Sequence, residues 1–245
     1  YALRHARWYL GRLEEGRLEL GGPRRGELVA WFVSEEDNLR AMLTTLAAAS
    51  PPEAARAARL LHGFWKSRGA YTEERQRLTE LIEHPDVPDQ SRAELFGLLS
   101  DVEWMVGDLD AADVAARESL RLAEPGSEIH AYALLGLAAI AGARGEREEA
   151  VRLGREALDE IDDVDDPAGP RLDVGTVFAE AGLRDEARAM CELVAVEARR
   201  SGSPFYIAHA ESAVSRLDLL EQRYQAAEDG FRSVLEILPG VSYAP

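Results

Sequence analysis

A six-residue pattern that comes back about every 38 residues constrains this chain more than any other feature. It begins with a turn-forming residue and ends five positions later on a small one: Gly107 to Ala112, Gly145 to Ala150, Gly182 to Ala187 and Gln222 to Ala227. Gly69 to Glu74 is a weaker first copy. The final residues of successive copies lie 38, 38, 37 and 40 positions apart. A stretch of helical periodicity precedes each copy and another follows it, so the unit is a helix–turn–helix repeated about five times. Glycine can end the first helix in a left-handed conformation without a Cβ clash. The closing alanine falls early in the second helix, where a small side chain lets two antiparallel helices approach closely. One such hairpin cannot bury its apolar faces alone, whereas several stacked together form a continuous core.

The rest of the sequence agrees with an all-α chain. Val and Ile nowhere alternate with polar residues over a useful length. Clusters of helix stoppers fall at Gly21-Gly22-Pro23, Ser50-Pro51-Pro52, His84 to Pro88, Glu124-Pro125-Gly126, Asp166 to Pro170, Ser201 to Pro204 and Pro239-Gly240. Ser50 is placed to cap a helix whose first turn holds Pro51. Residues 2–20 and 27–49 read as two further helices ahead of the repeats. In the second, Trp31, Glu35, Asn38, Leu39 and Met42 share one face. Asn38 and Glu35 are therefore expected to be buried and to hydrogen-bond a neighbouring turn or helix end.

Composition removes several classes of function. The net charge of −17 opposes nucleic acid as the main partner. The charge is unevenly spread: residues 1–70 balance at +3, residues 71–166 at −16 and residues 167–245 at −4. No apolar run approaches the roughly 18 residues of a membrane span. The single cysteine, Cys191, can form neither an internal disulfide nor a zinc cluster, and reads as a small core residue in a reducing, cytoplasmic setting. Because the sequence opens on Tyr1, it is read as a piece of something longer. Gly63-Phe64-Trp65-Lys66-Ser67 lacks the glycine that a phosphate loop places before its lysine, and it falls mid-helix. The five histidines never stand four apart from one another or from Cys191. The acidic run from Asp159 to Asp166 lacks the central Gly and terminal Glu of a calcium loop. No catalytic residue, cofactor or metal is expected.

The repeated residues resemble the tetratricopeptide repeat. That family places a small residue at position 8, Gly near 15, an aromatic residue or Leu at 17, Ala at 20, a larger apolar residue at 24 and Pro at 32. The last repeat matches through Tyr224, Ala227, Phe231 and Pro239, and the third through Ala138, Gly145, Ala150 and Ala157. The third departs at Arg147 and Gly154, where bulky apolar residues are usual. The resemblance implies a right-handed α-solenoid of about five hairpins over 51–245 (53–86, 89–125, 128–166, 167–202 and 204–239), preceded by a helix pair over 1–50. It also implies a concave groove lined by the first helix of each pair. Carried over position by position, the groove holds Arg56, Arg59 and Lys66 in the first repeat, Trp104 and Met105 in the second, and Tyr132 and Leu135 in the third. Leu172 and Glu180 follow in the fourth, and His209, Arg216 and Leu219 in the fifth. Such a mixed basic and apolar lining suits an extended peptide or partner helix with acidic and apolar residues.

A second resemblance rests on Trp31-Phe32-x-x-Glu35-x-x-Asn38-Leu39, preceded by His5-Ala6-x-x-Tyr9-Leu10. This is similar to the region just after the ATPase module of large bacterial regulators, the signal-transduction ATPases with numerous domains (STAND), including antibiotic-pathway regulators. It implies that residues 1–50 connect an upstream ATPase to a sensor arm. The arm would bind a protein, a peptide or a small inducer, without contacting nucleic acid or membrane itself. Two alternatives stay open: a scaffold for homo-oligomerisation or docking that senses nothing, and an all-α enzyme with its site between helices.

Overall fold

The structure is a computed structural model and describes residues 1–16, 25–161 and 167–237. Among the described residues every regular element is an α-helix. In chain order they are α1 (Ala2–Gly16), α2 (Arg25–Ser34), α3 (Glu36–Ala49), α4 (Pro51–Arg68), α5 (Tyr71–Ile82), α6 (Asp89–Val106), α7 (Leu109–Leu122), α8 (Glu128–Ala143), α9 (Arg147–Ile161), α10 (Ala168–Glu180), α11 (Arg184–Ser201), α12 (Pro204–Leu220) and α13 (Tyr224–Ile237). They fall into two compact units. The first holds α1, α2 from Glu27, α3 to α7 and α8 as far as Gly136, and the second holds the rest of α8 and α9 to α13.

All five motif copies fall at the turn of a hairpin: α4–α5, α6–α7, α8–α9, α10–α11 and α12–α13. Each turn opens with a residue at positive φ: Gly69 at 67°, Gly107 at 86°, Gly145 at 80°, Gly182 at 88° and Gln222 at 61°. The next residue's N–H then reaches back to a carbonyl five positions earlier. Asp108 bonds Glu103 at 2.9 Å, Leu183 bonds Phe178 at 2.8 Å and Arg223 bonds Asp218 at 2.8 Å. This is the Schellman closure, and it satisfies carbonyls that the helix end would leave bare. Gln222 adopts the same conformation with a Cβ attached, which carries a local strain.

The closing residue of each later motif stands twelve positions after another small residue, and Ser100 with Ala112 and Gly175 with Ala187 are in direct contact. The pairs are Ser100 with Ala112, Ala138 with Ala150, Gly175 with Ala187, and Ser215 with Ala227. The alanines are fully buried, and Ser100 is almost so. Ser100 Oγ donates to the carbonyl of Ala112 at 2.9 Å. A Cβ on Gly175 would meet Cys191 Sγ at 3.2 Å, so glycine suits that contact. Cys191 is itself buried beside Leu172, Val194, Ala195 and Ala210, as expected of a small core residue. Burial pushes its thiol pKa up, against the opposing charges of Arg216 and Arg188. Gly154 stands where the repeat pattern wants a bulky side chain, and the structure supplies the reason. A Cβ there would lie 3.1 Å from Phe178 Cε1, because the ring of α10 already fills that volume.

Several expectations need correction. The helix expected over 27–49 is two elements: α2 ends at Ser34 and α3 starts at Glu36, with Glu35 between them at φ −107° and ψ 11°. Backbone bonds still cross the break, from Glu35 N to Trp31 O at 3.0 Å and from Leu39 N to Glu35 O at 2.9 Å. The helix expected over 2–20 is described only to Gly16. Ser50 does stand before a helix with proline in its first turn, but its hydroxyl makes no capping bond. Of the acidic run from Asp159 to Asp166, Asp159 and Glu160 belong to α9. The remaining acids of that run, 162–166, lie outside the described residues, as do Gly21-Gly22-Pro23 and Pro239-Gly240.

Candidate functional site

In the first unit the N-terminal helices are tied to the repeats by aromatic and ionic contacts. Tyr9 of α1 donates its hydroxyl to Glu35 Oε2 at 2.5 Å, and Asn38 Nδ2 donates to the same oxygen at 2.7 Å. Glu35 thus binds the phenol of a neighbouring helix, not a turn. Asn38 is exposed and Glu35 only partly buried, contrary to the burial expected from their places on the apolar stripe. Burial, together with the Glu35 hydrogen bond and charge, pushes the Tyr9 phenol up to about 12. The hydrogen bonds from Tyr9 and Asn38 hold the Glu35 carboxyl below its usual range. Tyr9 also stacks on Trp31 with ring centroids 6.0 Å apart, and Phe32 meets Phe64 of α4 edge-on at 5.3 Å. Arg40 of α3 donates to Glu73 of α5 at 3.1 Å.

The first hairpin departs from the small–small pairing of the other four. At the equivalent positions it carries His62 and Glu74, and Glu74 is completely buried. His62 Nδ1 lies 2.6 Å from Glu74 Oε1, and Nε2 lies 2.8 Å from Asp101 Oδ2 on α6. Lys66 Nζ donates to that same Asp101 oxygen at 2.7 Å. With a carboxylate at each ring nitrogen, His62 is held as an imidazolium that donates on both sides. Burial pulls its pKa down, but the hydrogen bonds and charges of Asp101 and Glu74 outweigh burial and push it up to about 9. Burial pushes Asp101 up, while His62 and Lys66 outweigh it and bring the carboxyl down to about 2. Glu74 Oε2 has no hydrogen-bond partner among the described residues. The cluster clasps α4, α5 and α6 together.

A second ionic device recurs in both units. Arg75, one residue after the first motif, pairs with the buried carboxylate of Glu103 on α6. Arg188, one residue after the fourth motif, pairs at 2.8 Å with the buried carboxylate of Asp218 on α12. Each acid stands three positions after the small residue of the following hairpin. The sequence signal was therefore available: an Arg directly after the motif and an acid at the fifteenth residue of the next repeat, Glu103 counted from Asp89 and Asp218 from Pro204.

The expected groove residues meet different fates. Met105, Tyr132 and Leu219 are 41%, 44% and 46% exposed, so each presents apolar surface to solvent. His209 and Arg216 are exposed, and Trp104 is partly so. Leu135 and Leu172 are buried in the core and present nothing to a ligand. The cations of the first repeat face carboxylates: Arg56 lies 3.8 Å from Glu14, Arg59 lies 3.8 Å from Glu94, and Lys66 holds Asp101. Within the second unit, His209, Arg216 and Leu219 fall on one stripe of α12. Among the described residues no group of three or more His, Cys, Asp and Glu side chains could hold a metal ion. No helix of the described residues is long and apolar enough to cross a membrane.

Hairpins of this kind, turned by a positive-φ residue and closed on a small–small contact, make the fold that of a tetratricopeptide-like helical repeat. Comparison with solved structures bears this out. The chain is similar to BtubC from P. vanneervenii, with a TM-score of 0.61 and 17% identity, over 91% of this chain and 94% of that one. It is similar to a Rap protein complexed with Competence and Sporulation Factor, with a TM-score of 0.68 and 12% identity, over 82% of this chain and 58% of that one. It is also similar to a signal-transduction ATPase with numerous domains that carries a tetratricopeptide repeat sensor, from Pyrococcus horikoshii. There the TM-score is 0.61 at 15% identity, over 89% of this chain and 34% of that one. No protein-family model matches the chain. No curated protein matches it either.

Proposed function

We propose that this chain is a non-catalytic interaction and sensor module of a larger bacterial transcriptional regulator of the STAND class, the antibiotic-pathway type included. In this reading the repeats bind a protein, a peptide or a small inducer. Residues 1–50 relay that event to an upstream ATPase and effector domain, inside the cell. The observation that carries the reading is the set of side chains left facing solvent on the first helices of the hairpins. Met105, Tyr132 and Leu219 are apolar and exposed, with the guanidinium of Arg216 on the same stripe as Leu219. Exposed aromatic and Arg side chains, here Tyr132 and Arg216, are the usual anchors of binding surfaces.

Two further points support it. The marker that suggests the regulator class, Tyr9 with Glu35 and Asn38, is one hydrogen-bonded group that joins α1 to the break between α2 and α3. In this reading the shared carboxylate at the helix break is the element through which small changes pass between the packed helices. Among the structural neighbours, the Rap protein is complexed with Competence and Sporulation Factor and the Pyrococcus protein carries a tetratricopeptide repeat sensor. Calorimetry of the chain against peptides selected from a random library tests the proposal. Saturable binding that Met105→Ser and Tyr132→Ser or Leu219→Ser weaken is the expected result. No binding, together with unchanged activity of the full regulator after deletion of residues 53–239, rejects it.

A scaffold that only self-associates is the second reading, favoured by the apolar exposure of Tyr224 and Leu235 on α13. Light scattering without ligand separates the two.

A further inference from the structure

The cations expected to line a groove are not equivalent. Each cation of the first repeat has a carboxylate within 4.0 Å: Arg56 faces Glu14 and Glu53, Arg59 faces Glu94 although its Nε makes no hydrogen bond, and Lys66 binds Asp101. An anionic ligand there would compete with carboxylates already in place. Arg216 of α12 is exposed and has no ion-pair or hydrogen-bond partner among the described residues. The acids nearest to it along the chain are engaged elsewhere. Glu211 accepts from Arg199 at 2.5 Å and from Ser233 at 2.8 Å. Asp218 and Glu221 are held by Arg188 at 2.8 and 3.1 Å, and Arg223 binds both.

Around Arg216 the helix supplies apolar surface. Leu219 and Leu220, 46% and 54% exposed, stand three and four residues on. Phe205 and His209, whose rings lie 4.3 Å apart, precede it on the same stripe. From Arg216 to Leu220 is one helical turn, about 6 Å of rise. In an extended peptide, side chains two residues apart point to the same side about 6.7 Å apart. An acidic residue on the guanidinium therefore places the side chain two positions later over the exposed leucines.

Resting on the sensor reading, we propose that Arg216 is the specificity-determining residue of a peptide site on α12, reading a carboxylate in a ligand of the form Asp/Glu-x-Leu. Leu219 and Leu220 receive the apolar side chain. The occupant is an acidic–apolar peptide segment, because an unmatched guanidinium beside an apolar strip complements that chemistry and a neutral peptide leaves it unpaired.

The test uses fluorescein-labelled Ser-Gly-Glu-Ser-Leu-Ser-Gly and its Glu→Gln counterpart, followed by anisotropy with the whole chain. A charge-assisted pair of this type predicts about tenfold tighter binding of the Glu peptide. Arg216→Gln should reduce that ratio to near one while leaving the melting temperature unchanged. Leu220→Ser should weaken both peptides. Equal binding of the two peptides, no saturable binding of the Glu peptide, or a ratio that survives Arg216→Gln overturns the assignment. Self-association that Arg216→Gln dissolves overturns it in favour of a second copy. Library-selected peptides that bind regardless of Arg216→Gln overturn it but leave the sensor reading standing, whereas a library that yields no binder removes both.

Discussion

Substitution of His62 is the most informative perturbation, because the first hairpin replaces a small–small contact with a buried ion pair. A histidine whose pKa rises from 6.5 to about 9 contributes about 3 kcal/mol of stability when protonated, at about 1.4 kcal/mol per pH unit. The sign follows from the direction. The contribution is complete below pH 6.5, declines as the pH rises towards 9, and is gone above that. Asp101, lowered from 3.8 to about 2, adds a contribution present above pH 3.8 and lost as the pH falls through 2. The clasp is thus strongest between about pH 4 and 6.5. His62→Ala leaves Glu74 buried without its cation, and breaking a buried pair from one side costs about 3–5 kcal/mol. All four tryptophans, Trp8, Trp31, Trp65 and Trp104, lie in the first unit, so urea unfolding followed by their fluorescence reads that unit. At pH 6 the variant should lose about 3–5 kcal/mol, and above pH 9.5 the gap should shrink. The His62→Ala, Glu74→Ala double variant should be more stable than His62→Ala alone, because no charge stays buried. A stability flat from pH 6.5 to 9 in the unsubstituted chain, or a loss below about 1 kcal/mol at pH 6, would refute this account of the clasp.

Three further outcomes follow from local geometry. Gln222→Gly relieves a side chain at φ 61° and should raise stability by about 0.5–1 kcal/mol, read as a higher melting temperature. Gly154→Leu restores the usual repeat residue but drives it into Phe178; thermal unfolding should show a loss of about 1–3 kcal/mol, which Phe178→Ala partly rescues. Tyr9→Phe removes the phenol donor to Glu35 and should lower the midpoint of denaturant unfolding, with no loss of helical circular dichroism at zero denaturant.

The repeat architecture was legible because the turns and close contacts depend on residue types that few others can replace. A left-handed residue at the hairpin turn and a small residue in the close contact leave a periodic mark, and each motif falls at its turn. The reading of Asn38 failed for an equally physical reason. Periodicity places a residue on a face, but whether a neighbour covers that face depends on how α1 crosses α2 and α3. Leu135 and Leu172 show the same gap, since a groove position carried over by register became core once the helices packed.

What local chemistry dictates, the sequence alone determined: helices, their stops, the five turns and the small residues that let the hairpins close. Only the tertiary structure decided which charges meet. His62 and Asp101 are 39 residues apart, and no repeated position links them. Their pairing, and the unmatched state of Arg216, are properties of helices brought side by side. Coulomb interaction acts across space, while sequence periodicity records only what one helix does along its own axis.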